Sequence, residues 1–384
     1  MRAILSVLVS ILCVVYNVVC AQNYYVAKIA FEETRGKIIV PVTINGVQGK
    51  FLFDTGAPVC VTEKFASLTG IKALSTNKFE DSNGQVITNS VTIIEKIDLG
   101  GVQFSRVESV ILGNENPVNQ FGIDGIIGYT LFGASIVGID YKEKQITITN
   151  SHEIAGINSM GVPTPLLPGQ FVPVMSVNIG KNAVDTVMFD SGASEIYKPS
   201  VAAFTRLKNE DGALNVLQKG RGFTSMGAAG VEQASEKYRL NISSLTIGEA
   251  TFANLITENN SGSISRIGSG LLRFGTVVID YITKNFYYKP HIQSPIQVPP
   301  RPEWDVVITA LNDELIIGFV WGEEKQKKAN IGDKIVEING IAYDKVDTYK
   351  AITTNLINLS GSEADIVVQD RKTGELHKMK IRKL

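Results

Sequence analysis

The pentapeptide Phe53-Asp54-Thr55-Gly56-Ala57 returns as Phe189-Asp190-Ser191-Gly192-Ala193. No other feature restricts the fold as tightly. A duplicated Asp-hydroxyl-Gly loop calls for two copies of one unit, related by a pseudo-twofold axis that brings both loops to one place. Two carboxylates at hydrogen-bonding distance cannot both ionise, so they share a proton. One is then available as a base and the other as an acid. Leu52-Phe53 and Val187-Met188-Phe189 read as strands arriving from a core. Gly56 and Gly192 let the backbone turn sharply and approach the opposite unit. The hydroxyls of Thr55 and Ser191 can hydrogen-bond across the axis. A lone Asp-Ser-Gly is ordinary turn chemistry, so the weight falls on the matching surroundings.

Those surroundings repeat. Val40-Pro41-Val42-Thr43-Ile44-Asn45-Gly46 precedes the first loop, and Val172-Pro173-Val174 runs to Ile179-Gly180 before the second. Both read as an alternating strand entering a turn. Downstream, Gly128-Tyr129-Thr130-Leu131-Phe132-Gly133 is aligned with Gly270 to Gly275, and Val137-Gly138-Ile139-Asp140-Tyr141 with Val277 to Tyr281. A repeat of this length and number is a duplicated lobe, not a solenoid. Lobe one is expected over residues 22–150 and lobe two over 151–289.

On these residues the chain resembles the two-lobed aspartic peptidases of the pepsin and retropepsin type, especially bacterial exported aspartyl proteases. The resemblance covers about residues 30–290. It implies a mostly β fold in which duplicated acid-protease barrel lobes form one cleft. It implies Asp54 and Asp190 as the catalytic pair, supported by Thr55, Gly56, Ser191 and Gly192. Asp124-Gly125-Ile126-Ile127-Gly128 resembles the second family signature, an apolar pair and a Gly beneath the catalytic loop. Two departures stand out: Gly268-Ser269 occupies the apolar-pair position before Gly270, and Pro58 follows Ala57. The flap is assigned to Asp81-Ser82-Asn83-Gly84-Gln85, centred on Asn83 and Gly84, with a plain surface hairpin as the alternative. Its second-lobe equivalent is sought in the Gly-rich stretch 222–230. Ala57 and Ala193 follow the glycines, as in retropepsins; without a hydroxyl there, the dyad should keep its proton to higher pH and work best in mild acid.

The 384 residues carry 37 Lys and Arg against 38 Asp and Glu, which excludes neither enzyme nor binding module but gives no charge bias towards nucleic acid or anionic membranes. Residues 1–21 combine Arg2, an apolar run and Val19-Cys20-Ala21, and read as a secretory signal cut after Ala21. The expected location is therefore export to the periplasm or medium of a Gram-negative bacterium. A lipid anchor on Cys20 ranks below this, and no stable membrane span is expected in the mature chain. Of Cys13, Cys20 and Cys60, only Cys60 survives cleavage, so no internal disulfide forms. Cys60 lies in Val59-Cys60-Val61 and reads as a core thiol. His152, His291 and His377 are isolated and give no ligand spacing, so neither metal nor other cofactor is expected.

Pro290, Pro295, Pro299, Pro300 and Pro302 mark a linker over residues 290–302. Beyond it, residues 303–384 hold Gly332-Asp333-Lys334-Ile335-Val336-Glu337-Ile338-Asn339-Gly340, which resembles the signature of PDZ domains, small β/α modules. PDZ domains add a peptide as a strand and hold its carboxylate on backbone N–H groups. The carboxylate loop is sought at residues 315–320, with Ile317, Gly318 and Phe319 as the binding residues.

The leading expectation is an exported aspartic endopeptidase acting on peptide or protein substrates, with a PDZ-like module that docks C-terminal peptides or caps the protease. The alternatives are an inactive peptide-binding scaffold and a homodimer in which lobe one pairs with lobe one.

Overall fold

The strand that carries each Asp is locked to a short parallel partner, and this pairing explains the glycines around it. In the first lobe, Val47–Asp54 runs beside Gly125–Gly128, with Asp54 opposite Gly128. In the second, Ala183–Asp190 runs beside Ser265–Gly268, with Asp190 opposite Gly268. A Cβ on Gly128 would overlap the Ala57 carbonyl, and one on Gly268 would lie 2.6 Å from the Glu195 carbonyl oxygen. Only Gly lets the partner strand pass directly beneath the Asp loop. The computed structural model describes residues 24–384, except 35, 115, 117, 118, 120, 301, 354–356 and 358. The signal expected over residues 1–21 lies outside the described residues.

This register corrects the sequence alignment. Gly268, not Gly270, is the counterpart of Gly128, since Asp140 lies twelve positions after Gly128 and Asp280 twelve positions after Gly268. The apolar pair before Gly128 therefore becomes Arg266-Ile267 in the second lobe, not Gly268-Ser269. Ser269 is no gap in the support: its one hydroxyl proton lies between the carbonyl oxygens of Ala193 (2.7 Å) and Gly36 (2.9 Å), both within donating distance.

The chain is mostly β. The first lobe is an eight-stranded sheet. Its strand Lys37–Ile44 alternates buried and more open positions, as a one-sided sheet requires. A six-stranded sheet then joins the lobes from beneath. At its centre Ile136–Asp140 and Gly275–Asp280 run antiparallel, with Gly138 opposite Val278. These two are equivalent positions of the repeat, so the pseudo-twofold axis passes between them. One continuous core surrounds it, including Phe53, Phe132, Phe189 and Ile279. Each fully buried Phe there stabilises the fold by roughly 1.5–3 kcal/mol.

The proline-rich stretch is laid against lobe two, where Ile296–Gln297 pairs in parallel with Ala250–Glu258. The C-terminal segment has its own core, built on Leu315, Ile317, Ile335, Ile366 and Val368. Its order is Val306–Leu311, Glu314–Trp321, helix Glu323–Gln326, Lys334–Ile338, Ile341–Ala342, helix Thr348–Thr353, Glu363–Gln369 and Leu376–Arg382.

Here a second expectation is corrected. Ile317, Gly318 and Phe319 form no carboxylate loop; they lie inside the continuous strand Glu314–Trp321. Asn312 and Asp313 both adopt positive φ (51° and 61°), which closes a tight hairpin and sends the following residues back as its return strand. Both edges of that strand are taken. Val306–Leu311 lines one. Lys334 and the second-lobe residues Gly220, Arg221 and Gly222 line the other. The second-lobe sheet thus continues into the C-terminal segment as one 13-stranded sheet.

Candidate active site

The two Asp loops interlock by four hydrogen bonds. Thr55 N donates to Ser191 Oγ (3.0 Å) and Ser191 N to Thr55 Oγ1 (3.0 Å). Thr55 Oγ1 donates to the Phe189 carbonyl (2.8 Å), and Ser191 Oγ to the Phe53 carbonyl (2.9 Å). Each hydroxyl accepts from one lobe's backbone and donates to it again, so both residues are satisfied although fully buried. The glycines that follow face the opposite Asp. A Cβ on Gly56 would lie 3.1 Å from Asp190 Cγ, and one on Gly192 would overlap the Asp54 carboxylate.

Asp54 and Asp190 are thereby brought together at the floor of one cleft. Asp54 Oδ1 accepts from Gly56 N (2.9 Å) and Asp190 Oδ1 from Ala193 N (3.1 Å). Burial, then the charge of Asp190 and a hydrogen bond to it, pushes the Asp54 carboxyl up to about 8. The Gly56 N–H and the Lys37 ammonium pull the other way and lose. The pair therefore holds one proton near neutrality, and its titration belongs to both groups. Lys37 is half-buried, and its ammonium donates to the Gly192 carbonyl. Arg266, 6 % exposed, sets its Nη1 3.9 Å from Asp190 Oδ2.

Cys60 also lines the cleft. Burial, and then the nearby Asp54 charge, pushes its thiol far up, so no thiolate nucleophile is available there. The histidines have local partners: His152 Nε2 meets Asp280 Oδ2 (2.8 Å), His291 meets Thr276 Oγ1 (2.9 Å) and His377 meets the Lys328 carbonyl (3.2 Å). Among the described residues, no three His, Cys, Asp or Glu side chains converge as a metal-binding group.

The cleft encloses about 1360 Å³. Leu52, Phe79, Val110, Leu112 and Ile126 form an apolar patch on its first-lobe wall, and Glu195, Lys198, Glu258 and Arg266 form a charged patch on its second-lobe wall. Lys198 Nζ pairs with Glu258 (2.5 Å) and approaches Glu195 (3.9 Å). Burial alone would raise Glu195, but Lys198 and Arg266 pull it down to about 2.

The flap candidate lies against the other lobe. Asp81 Oδ1 accepts from Asn83 N and Gln85 N (both 2.9 Å), which shapes the turn. A second-lobe hairpin, Met226–Gly227 paired with Gly230–Val231, meets it. Ser225 Oγ donates to Asn83 Oδ1 (2.7 Å), Ala229 N to Asp81 Oδ2 (3.0 Å) and Gln85 Nε2 to the Val231 carbonyl (3.3 Å). Gly84 stays exposed at the turn. The base of the second hairpin is pinned by Glu232, whose Oε1 accepts from Lys237 Nζ (2.6 Å), Thr224 N (2.7 Å) and Ser225 N (2.9 Å).

Sequence reasoning missed Arg266, Lys37 and the Glu195–Lys198–Glu258 network. Arg266 was within reach: counting back from Asp280 by the Gly128-to-Asp140 spacing makes it the counterpart of Ile126. The network had no linear signal, because Glu195 and Lys198 lie on the stretch after the second Asp loop and Glu258 comes from the distant strand Ala250–Glu258.

Residues 40–131 match the family model described as aspartyl protease. The match spans the first Asp loop and its partner strand Gly125–Gly128. No curated protein matches the chain. The family match supports a protease-like function.

Proposed function

We propose that this chain is an aspartic endopeptidase that hydrolyses peptide bonds with a water activated between Asp54 and Asp190. The observation that carries the reading is the reciprocal Thr55–Ser191 interlock, which joins two carboxyls of one chain at the floor of a peptide-sized cleft. With one shared proton, the pair can take a proton from water and give one to the scissile carbonyl oxygen, forming a tetrahedral diol. An extended substrate would lie between the two lobes, against the apolar patch of the first and the charged patch of the second, beneath the two hairpins.

The departure that prompted the scaffold alternative lies at Arg266, not at Gly268-Ser269, since Gly268 is the counterpart of Gly128; two Asp loops joined at one cleft speak against that alternative. The homodimer alternative has little to recommend it, since both carboxyls come from one chain. The C-terminal segment is read as a PDZ-like module that caps the second lobe. We also read the chain as exported, on residues 1–21; among the described residues no helix is long and apolar enough to cross a membrane.

The test is cleavage of a mixed peptide library by residues 22–384 from pH 3 to 8, beside Asp54→Asn and Asp190→Asn. Cleavage by the parent that both substitutions abolish is the expected result. Cleavage that survives Asp190→Asn would restore the homodimer, and no cleavage at any pH with peptides still bound would restore the scaffold.

A further inference from the structure

The two halves of the site are not equivalent in charge. On the strand beside the first Asp strand the repeat places Ile126, opposite Leu52, and at the matching position in the second lobe it places Arg266, opposite Met188. Resting on the reading of the pair as a hydrolytic dyad, we infer that Arg266 is a positioning residue that holds Asp190 as the ionised base, leaving Asp54 to carry the shared proton and act as the acid.

The surroundings of both carboxyls bear on this. Asp54 has the Gly56 N–H on its own loop, and Lys37 from strand Lys37–Ile44 is the weakest influence on it. The Lys37 ammonium is committed to the Gly192 carbonyl. Asp190 has the Ala193 N–H on its own loop and the Arg266 guanidinium from the strand beneath, 3.9 Å away. Three further charges surround Arg266. Glu195 and Lys198 follow the second Asp loop, and Glu258 reaches in from Ala250–Glu258. Lys198 binds Glu258 at 2.5 Å and so spends most of its charge there. Burial keeps Cys60 a neutral thiol. Arg266 is buried, and its Nε has no hydrogen-bond partner among the described residues. A buried guanidinium is costly unless an anion lies near it. Asp190 and Glu195 are those anions.

The proton count closes over one turnover. Water loses a proton to Asp190 as its oxygen bonds to the carbonyl carbon, while Asp54 gives its proton to the carbonyl oxygen. The diol then collapses: Asp190 passes its proton to the leaving nitrogen as the C–N bond breaks, and one diol hydroxyl returns a proton to Asp54. The dyad ends as it began.

The test uses Arg266→Met and Arg266→Lys in the whole chain, with two readouts. The first is carbon-13 NMR titration of the Asp carboxyls, with Asp54 and Asp190 assigned from spectra of Asp54→Asn and Asp190→Asn. It needs no turnover, so it stands apart from the failure of the peptidase reading, which appears as an absence of cleavage. At a pH where the pair holds one proton, the parent's proton should reside on Asp54. Arg266→Met should move a large share of that proton onto Asp190, as expected for loss of a neighbouring cation, and Arg266→Lys should return most of it to Asp54. The second readout is the pH profile of kcat/KM, whose acid limb should move in Arg266→Met and return in Arg266→Lys. A shared proton found on Asp190 in the parent would overturn the assignment. So would a fall in kcat/KM that is uniform across pH, or an Arg266→Lys protein indistinguishable from Arg266→Met.

Discussion

Asp54 bears an electrostatic cost that its neighbours do not relieve. Its carboxyl stands at about 8 in the folded chain against an ordinary 3.8, because burial and the Asp190 charge both oppose ionisation. Below about pH 4 the group is protonated folded or unfolded, and its contribution to stability is fully present. Between pH 4 and 8 the unfolded chain releases that proton while the native chain keeps it, so stability falls as pH rises and levels off above about 8. Asp54→Asn removes the ionisable group. Urea titrations should find the variant close to the parent at pH 4 and more stable by roughly 2–4 kcal/mol at pH 8. A gap that does not widen with pH would mean that Asp54 ionises freely in the fold. Cys60 makes a second case at this scale. Its thiol is 3 % exposed, donates to the Pro58 carbonyl (3.4 Å) and is held far from ionisation. Iodoacetamide at pH 8 should leave it unmodified in native protein and label it fully in denaturant, as mass spectrometry would read.

The short strands beneath the Asp loops show what can be read from sequence and what cannot. Asp54, Asp190, Thr55 and Ser191 were legible because a duplicated loop must use the same residue types twice. The glycines were legible for the same reason, and their need is geometric. Gly192→Ala would drive a methyl group into the Asp54 carboxylate. Cleavage should fall at least about 100-fold, since small misplacements at a reacting centre cost that much. Circular dichroism should show the fold retained, and Thr55→Ser, which keeps the interlocking hydroxyl, should retain most activity. Arg266 was not legible by eye, because the eye matched Phe132-Gly133 to Phe274-Gly275, whereas strand pairing fixes Gly128 against Gly268. Ile317-Gly318-Phe319 misled for a related reason. A lone Gly beside a Phe suggests a loop, but the turn chemistry lies earlier, at Asn312-Asp313. Gly318 is a Gly because strands approach there: a Cβ would lie 3.0 Å from Thr309 Cγ2.

At the scale of the molecule, the C-terminal segment grips the strand that leads into the second-lobe hairpin lining the cleft. Strand Glu314–Trp321 pairs with Gly220, Arg221 and Gly222 at the end of Leu214–Gly222. Phe223 N donates to the Gly318 carbonyl (2.8 Å) and Gly322 N to the Lys219 carbonyl (2.8 Å), which fastens both ends of the seam. Two residues beyond Phe223, Ser225 bonds Asn83 of the opposite hairpin. The seam admits no side chain at two points: a Cβ on Gly222, whose φ is +139°, would overlap the Gly318 carbonyl, and one on Gly220 would lie 2.7 Å from Trp321 Cε3. Gly222→Ala should therefore part the two strands without touching the dyad. Hydrogen exchange should quicken at Phe223 and Gly322, and also at Ala229, whose N–H is held by Asp81. Exchange at Phe53 and Phe189, in the Asp-bearing strands, should stay slow. In cleavage assays KM should rise several-fold with kcat changed less, as expected when a covering element loosens while the reacting groups stay in place. Faster exchange confined to Phe223 and Gly322, with Ala229 and KM unchanged, would mean that the seam fastens the C-terminal segment but does not steady the hairpin.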